Sequence, residues 1–225
     1  MRKLILFTIL FTTALSFSQQ STEVGDFSEL KVYDLITVKL VPANDNKVVV
    51  AGANTESVKI INESGVLKVR MELEERFDGN NTTVTVYFKE IAIIDANEGA
   101  KIYSEDEISS PSLELKTQEG GKIGLKISVE NLLIKSVSGG VIETKGTARN
   151  QTIAINSGGA YEGKNLMAVE TTVNVTAGGF AEIYTTEKVD AKVTAGGSIK
   201  VFGNPKNVKK KKRAGGNIEI VKTKN

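Results

Sequence analysis

The chain has 225 residues and carries 29 Lys and Arg against 27 Asp and Glu, a formal net charge of +2 at pH 7. It holds 21 Gly but only 3 Pro, and it has no Cys, His or Trp. That composition excludes disulfides, thiolate nucleophiles, thiolate or imidazole metal sites and Ser-His or Cys-His catalysis, so any catalysis would rest on carboxylates, Lys, Arg or Tyr.

Residues 1–18 read as a secretory signal peptide. Arg2 and Lys3 form a positive start, residues 4–15 are apolar apart from Thr8, Thr12 and Thr13, and Ser16 and Ser18 supply the small residues before cleavage at Gln19. The apolar stretch is shorter than the roughly 20 residues a membrane span needs. No later segment is long and apolar enough to span, so no transmembrane segment is expected in the mature chain. The expected location is the periplasm, the cell surface or the extracellular space of a Gram-negative bacterium. Without Arg2 and Lys3, basic and acidic residues balance at 27 each. That neutrality speaks against a general nucleic-acid binder. The balance is uneven, however. Residues 19–110 hold 9 basic and 17 acidic residues, and residues 111–225 hold 18 basic and 10 acidic.

In chain order, residues 30–32 and 36–41 alternate apolar and polar up to Pro42, Ala43 to Asn46 read as a turn, and residues 47–51 give a further strand before Gly52. Residues 58–61 and 66–70 flank Asn62 to Gly65, a hairpin-like turn, and residues 82–88 form another strand. Residues 19–90 are therefore expected to be an irregular, β-rich N-terminal part or cap, since a solenoid must protect its end strands.

A repeat follows. Gly pairs stand at Gly120 and Gly121, Gly139 and Gly140, Gly158 and Gly159, Gly178 and Gly179, Gly196 and Gly197, and Gly215 and Gly216, with Gly99 as an earlier member. Successive spacings from Gly99 are 21, 19, 19, 20, 18 and 19 residues. Alternating stretches flank each pair, for example residues 132–136 before and 180–184 after. Such alternation marks strands with one buried face, rich here in Val, Ile and Thr. A unit of about 19 residues cannot close its own core and is too short for a propeller blade, so it must stack. The predicted fold is all-β: a single-stranded, right-handed parallel β-helix of about seven coils over residues 91–221, in one domain spanning 19–225. The glycines form a corner ladder, because Gly accepts φ > 0 and fits between crowded layers. A phosphate-cradling reading lacks the helix or P-loop context it requires.

Several segments resemble a known family. Residues 27–32 and 36–40, residues 65–69, the serial Leu-x-Leu/Ile-x-Ser/Thr-x-Gly-Gly units and residues 202–205 are similar to the head GIN domain of putative autotransporter adhesins. The resemblance covers roughly residues 25–221. The family usually carries Gly-Ser-Gly or Gly-Ala-Gly at the corner, where this chain mostly has Ser-Gly-Gly or Ala-Gly-Gly. The resemblance implies a β-helical domain of exported bacterial proteins, such as those of Bacteroidetes, and supplies no catalytic motif.

Four groups of side chains invite a functional reading. Lys206, Lys209, Lys210, Lys211, Lys212 and Arg213 form a basic run that reads as an anion-binding patch or as the solvated wall and edge protection of the last corner. Glu72, Glu74 and Glu75, and Glu105, Asp106 and Glu107, lack the EF-hand and nonapeptide calcium patterns and read as solvated loops. Tyr87, Tyr103, Tyr161, Tyr184, Phe180 and Phe202 would either line a carbohydrate platform or pack on the core. Hydrolysis by carboxylates would need convergence on one face. Only Asp190 of the mature chain's seven Asp lies beyond residue 106, and outward strand positions mix Glu, Lys, Thr and Asn without an acidic stripe. The expectation is an exported, non-enzymatic β-solenoid with an adhesin-like, scaffold or binding role, needing no cofactor and recognising glycans or other cell-surface components. The alternative is a carbohydrate-binding or carbohydrate-active β-helix protein.

Overall fold

The structure is a computed structural model that describes residues 20–222; the expected signal peptide lies outside the described residues. The strands are β1 (Gln20–Glu23), β2 (Glu29–Val32), β3 (Thr37–Pro42), β4 (Lys47–Gly52), β5 (Val58–Glu63), β6 (Val66–Met71), β7 (Thr82–Phe88) and β8 (Ile93–Ala96). Five long strands follow: β9 (Lys101–Thr117), β10 (Lys122–Ser136), β11 (Val141–Ile155), β12 (Ala160–Thr176) and β13 (Phe180–Thr194). The last are β14 (Ser198–Phe202), β15 (Asn207–Arg213) and β16 (Asn217–Ile220).

Each long strand is most of one coil, and neighbouring coils pair in parallel from β9 through β13. β14 and β15 together repeat the next coil on β13, and β16 begins another on β14. The register follows the glycine spacing: Lys122 lies opposite Val141, Val141 opposite Ala160 and Ala160 opposite Phe180. The expected β-solenoid of about seven turns is what the chain forms. Two short strands per coil were expected, yet β10 is continuous over 15 residues. Its mid-coil bend needs no turn, because Glu130 and Asn131 both face solvent and the alternation resumes at Leu132.

The core is a stack of aliphatic rows. One runs in register through Leu67, Leu30, Ile94, Leu115, Ile134, Ile153, Val173 and Ala191, all fully buried. Full burial of one such branched side chain contributes about 1.5–3 kcal/mol, so a row of this length is a large share of the fold's stabilisation.

The front end is more regular than its sequence suggests. β2 pairs in parallel with both β6 and β8, and β3 with both β7 and β9. So β2–β3 and β6–β7 are themselves coils, stacked out of chain order, with the later coil outermost. Around that outermost coil, β4 runs antiparallel to β7, β5 antiparallel to β6, and β1 antiparallel to β4. These antiparallel strands occupy hydrogen-bonding edges that a bare parallel coil would leave open.

The corners are two-residue turns. At one of them Ser157 (φ 47°) and Gly158 (φ 74°) are both left-handed, and the Gly159 N–H donates to the Asn156 carbonyl at 3.0 Å. Positive φ at both central positions is the type I′ pattern. The residue before each pair is therefore left-handed too, although it is Ser, Ala or Glu. The two glycines serve different ends. A Cβ on Gly158 would enter open space, whereas one on Gly159 would strike the Ser136 carbonyl of the preceding coil. The Gly159 carbonyl accepts from Phe180 N–H at 3.0 Å, which locks the next coil at van der Waals distance.

Candidate functional site

Tyr161, a candidate for a surface platform, lies in the interior. It is fully buried, and its hydroxyl sits 2.8 Å from Thr144 Oγ1 and donates to Gln151 Oε1 at 3.2 Å. Gln151 Nε2 donates to Thr171 Oγ1 at 2.8 Å, and Thr171 and Thr185 hydroxyls are 2.5 Å apart. This polar chain crosses three coils inside the core. Burial pushes the Tyr161 hydroxyl well above the ordinary tyrosine range, opposed only by the Thr144 contact. The ring lies over Gly163, where a Cβ would collide with it. The period-2 pattern could not separate Tyr161 from outward aromatics without the register, because Ala160 and Tyr161 differ by one position.

The wall formed by the start of each coil carries the most organised surface chemistry. Its outward positions stack in rows. Glu143, Glu162 and Glu182 are successive partners, followed by Lys200 and Glu219. This corrects the expectation of no acidic stripe: three carboxylates stand side by side at the strand spacing of about 4.8 Å. The spacings of 19 and 20 residues hide the alignment in the linear sequence. The neighbouring row is Met167, Tyr184 and Phe202. Met167 is 52% exposed and the two rings are half-buried. Tyr184 packs across to the next coil, where a Cβ on Gly203 would stand 2.8 Å from its ring. Phe180 flanks the carboxylates on the other side, with Lys200 Nζ 5.7 Å from its ring centroid and 3.3 Å from Glu182 Oε1. At the other end of the wall, a shallow trough of about 180 Å³ runs along Gly124, Lys126, Glu143 and Lys145. Tyr103 is half-exposed beside Gly124, its register partner, while Tyr87 lies in the front coil under the Lys47 ammonium at 4.6 Å.

Part of each acidic cluster is taken up in ion pairs. Glu72 pairs with Lys59, Glu105 with Lys39 at 2.6 Å, and Glu107 with Lys126 at 3.2 Å. Among the described residues no group of three or more carboxylates is placed to hold a metal ion. A second acidic feature was not visible in sequence. Asp34, fully buried at the second coil's corner, accepts from Met71 N–H at 3.0 Å, and Arg76 reaches both it (3.8 Å) and Glu98 of the adjacent corner (3.1 Å). Burial first, and then the Asp34 carboxylate, hold Glu98 above its ordinary value of 4.5, against the pull of Arg76. A raised carboxyl contributes stability that is present below the unfolded value and is lost as pH rises through the folded one. We therefore expect Glu98→Gln to flatten the fall of melting temperature as pH rises above the ordinary carboxyl value of 4.5. Parallel pH curves for the two proteins would contradict this assignment.

The basic run lies at the far end. Lys206 pairs with Glu187 at 2.8 Å and Lys209 with Asp190 at 2.9 Å. Lys210, Lys211, Lys212 and Arg213 form no ion pair among the described residues, and all of β15 is exposed. A depression of about 480 Å³ at the front, lined by Asp26, Phe27, Asn46 and Lys89, is occupied by its own contacts: Asn46 Nδ2 and Lys89 Nζ both donate to Asp26 Oδ1, at 3.1 and 3.2 Å.

No helix among the described residues is long and apolar enough to cross a membrane. A crystal structure of a putative adhesin from Bacteroides fragilis is similar over 92% of this chain and 98% of its own, with TM-score 0.85 and 16% identity. A putative adhesin from Parabacteroides distasonis matches with TM-score 0.72 and 19% identity, over 91% of this chain and 97% of its own. A putative lipid binding protein from the same species matches with TM-score 0.70 and 16% identity, over 91% and 96%. At these identities the likeness is one of fold. No curated protein matches the chain. The family model described as "Putative auto-transporter adhesin, head GIN domain" matches residues 26–205, and the chain belongs to that family.

Proposed function

We propose that the mature protein is exported through residues 1–18 to the periplasm or cell surface of a Gram-negative bacterium, and acts there, without turnover, as an adhesin-like binding module or scaffold for glycans. The observation that carries this reading is the wall on which Met167, Tyr184 and Phe202 stack beside the Glu143, Glu162 and Glu182 row. Apolar ring faces take the C–H faces of sugars, and adjacent carboxylates accept from their hydroxyls. The family's adhesin description fits such a role. The coil spacing repeats the same pair of functions along the rod, which suits an extended chain of sugars lying across the strands.

The test is a glycan array with the purified mature protein, followed by Tyr184→Ala and Phe202→Ala on any hit. Each substitution is expected to weaken binding about tenfold, the loss of one aromatic stacking contact. Unchanged binding by both variants would remove this wall from consideration. A carbohydrate-active reading draws on one specific feature: neighbouring carboxylates at the strand spacing approach the about 5–5.5 Å separation of retaining glycosidases. Release of reducing ends from a polysaccharide, abolished by Glu162→Gln, would replace the binding reading with that one. Glu143 and Glu162 are both exposed, and Glu143 lines only the shallow trough, an open setting that does not exclude water.

A further inference from the structure

The core rows end in charge. Val173 is followed in register by Ala191 and then by Lys210; Val175 is followed by Val193 and then by Lys212. In the preceding coils these positions are buried apolar residues, but every residue of β15 is exposed. On the outward side of the same strand lie Lys209, Lys211 and Arg213, with Lys192 next to Lys211 in the coil beneath. Both faces of β15 are therefore basic. Edge protection explains lysines on the core side of an end strand. It does not call for Lys211 and Arg213 on the other side, and neither has an ion-pair partner among the described residues.

We propose that this end of the solenoid is a foot that docks on an anionic bilayer surface, so that the rod stands end-on. Two observations favour a lipid surface over a single anionic polymer chain. A plane approaching the tip meets both faces of β15 at once, whereas one polymer chain lies along one row. The rod is also electrically polar. Residues 19–110 carry 17 acidic against 9 basic residues, and residues 111–225 carry 18 basic against 10 acidic. Because the coils stack along one axis, a negative surface attracts the C-terminal end and repels the front, which orients the approach. Docking at the tip leaves the walls free, so the inference does not depend on the glycan reading.

The experiment is co-sedimentation of the mature protein with vesicles of phosphatidylcholine containing about one quarter phosphatidylglycerol, against vesicles of phosphatidylcholine alone. Binding is expected only with the anionic vesicles, and is expected to fall steeply with added salt. Lys210→Gln, Lys211→Gln and Lys212→Gln together are expected to lower partitioning about 100-fold, roughly fivefold per charge near the surface. A second variant, Lys211→Gln with Arg213→Gln, keeps the core-side lysines and is expected to lose about 25-fold with the oligomeric state of the wild type unchanged. Wild-type protein that ignores anionic vesicles at low salt overturns the proposal. So does equal partitioning of the second variant, or capture by soluble polyphosphate without vesicle binding. Oligomerisation of the triple variant with vesicle binding retained by the second would assign the run to edge protection alone.

Discussion

Gly159→Ala is expected to lower the unfolding free energy by about 3 kcal/mol, and Gly158→Ala by only about 1 kcal/mol, read from urea unfolding of the mature protein. The two residues are adjacent and belong to one motif, so the difference isolates a cause. Gly158 has φ 74° and open space around its missing Cβ. An L-residue there meets only its own backbone, and Ser157 next to it tolerates φ 47°. Gly159 faces the preceding coil, and a Cβ would collide with the Ser136 carbonyl. Relief requires this corner to lift off the preceding coil, which would also lengthen the bonds from Asn156 N–H to the Ser136 carbonyl, now 3.0 Å, and from Ala160 N–H to the Gly140 carbonyl, now 2.9 Å. Coils contact only their neighbours, so the damage is expected to be local, with hydrogen exchange rising first in β11 and β12. Equal losses for the two variants would mean that backbone conformation, and not close approach, explains the second glycine.

Tyr161→Phe is expected to cost about 2 kcal/mol. The substitution removes one oxygen and leaves the packing of the ring intact, but it orphans Gln151 Oε1 and takes a partner from Thr144 Oγ1, both buried. A buried polar atom without a partner carries its full desolvation penalty. Replacing the partners as well, with Thr144→Val and Gln151→Leu, is expected to recover much of the loss, because an apolar set of similar shape leaves only Thr171 to satisfy, and Thr185 remains 2.5 Å away. The buried hydroxyl also has a pH signature. Its folded value is raised above the ordinary 10.0, so the unfolded chain ionises first and wild-type stability falls as pH rises above that value. Tyr161→Phe should lose that part of the alkaline decline. A variant with unchanged stability, or an unchanged alkaline limb, would show that the polar chain does not act as a unit.

Both predictions concern the frame that holds the wall in place. Tyr161 is one position from Ala160 and two coils' width from Phe202, in the coils that carry the Met167, Tyr184 and Phe202 row. On the proposed glycan reading, loosening that frame should weaken binding through displacement of the row, whereas Tyr184→Ala should weaken it without loss of stability beyond that of one half-buried ring.

The sequence by itself determined the coil. Seven glycine-marked corners, regular spacing and period-2 alternation admit one economical solution, because a 19-residue β unit has no partner except its own copies. The excluded chemistries were equally legible, since they follow from residue types that are absent. What the sequence could not decide was every relation between coils. The front coils stack out of chain order because Leu30 has two parallel partners, Leu67 and Ile94, and no local signal says which neighbour lies on which side. The corner there, Asp34 and Leu35 at φ 58° and 62°, lacks the glycines that announce the others. The acidic row and the aromatic row arise from offsets of 17 to 20 residues, where a slip of one position would turn each side chain to the opposite face. Lys210 and Lys212 read as surface charge in the chain, and only the register shows that they end the core. The physical reason is common to all of these: alternation fixes which residues share a face within a strand, but hydrogen bonding between coils fixes which of them become neighbours.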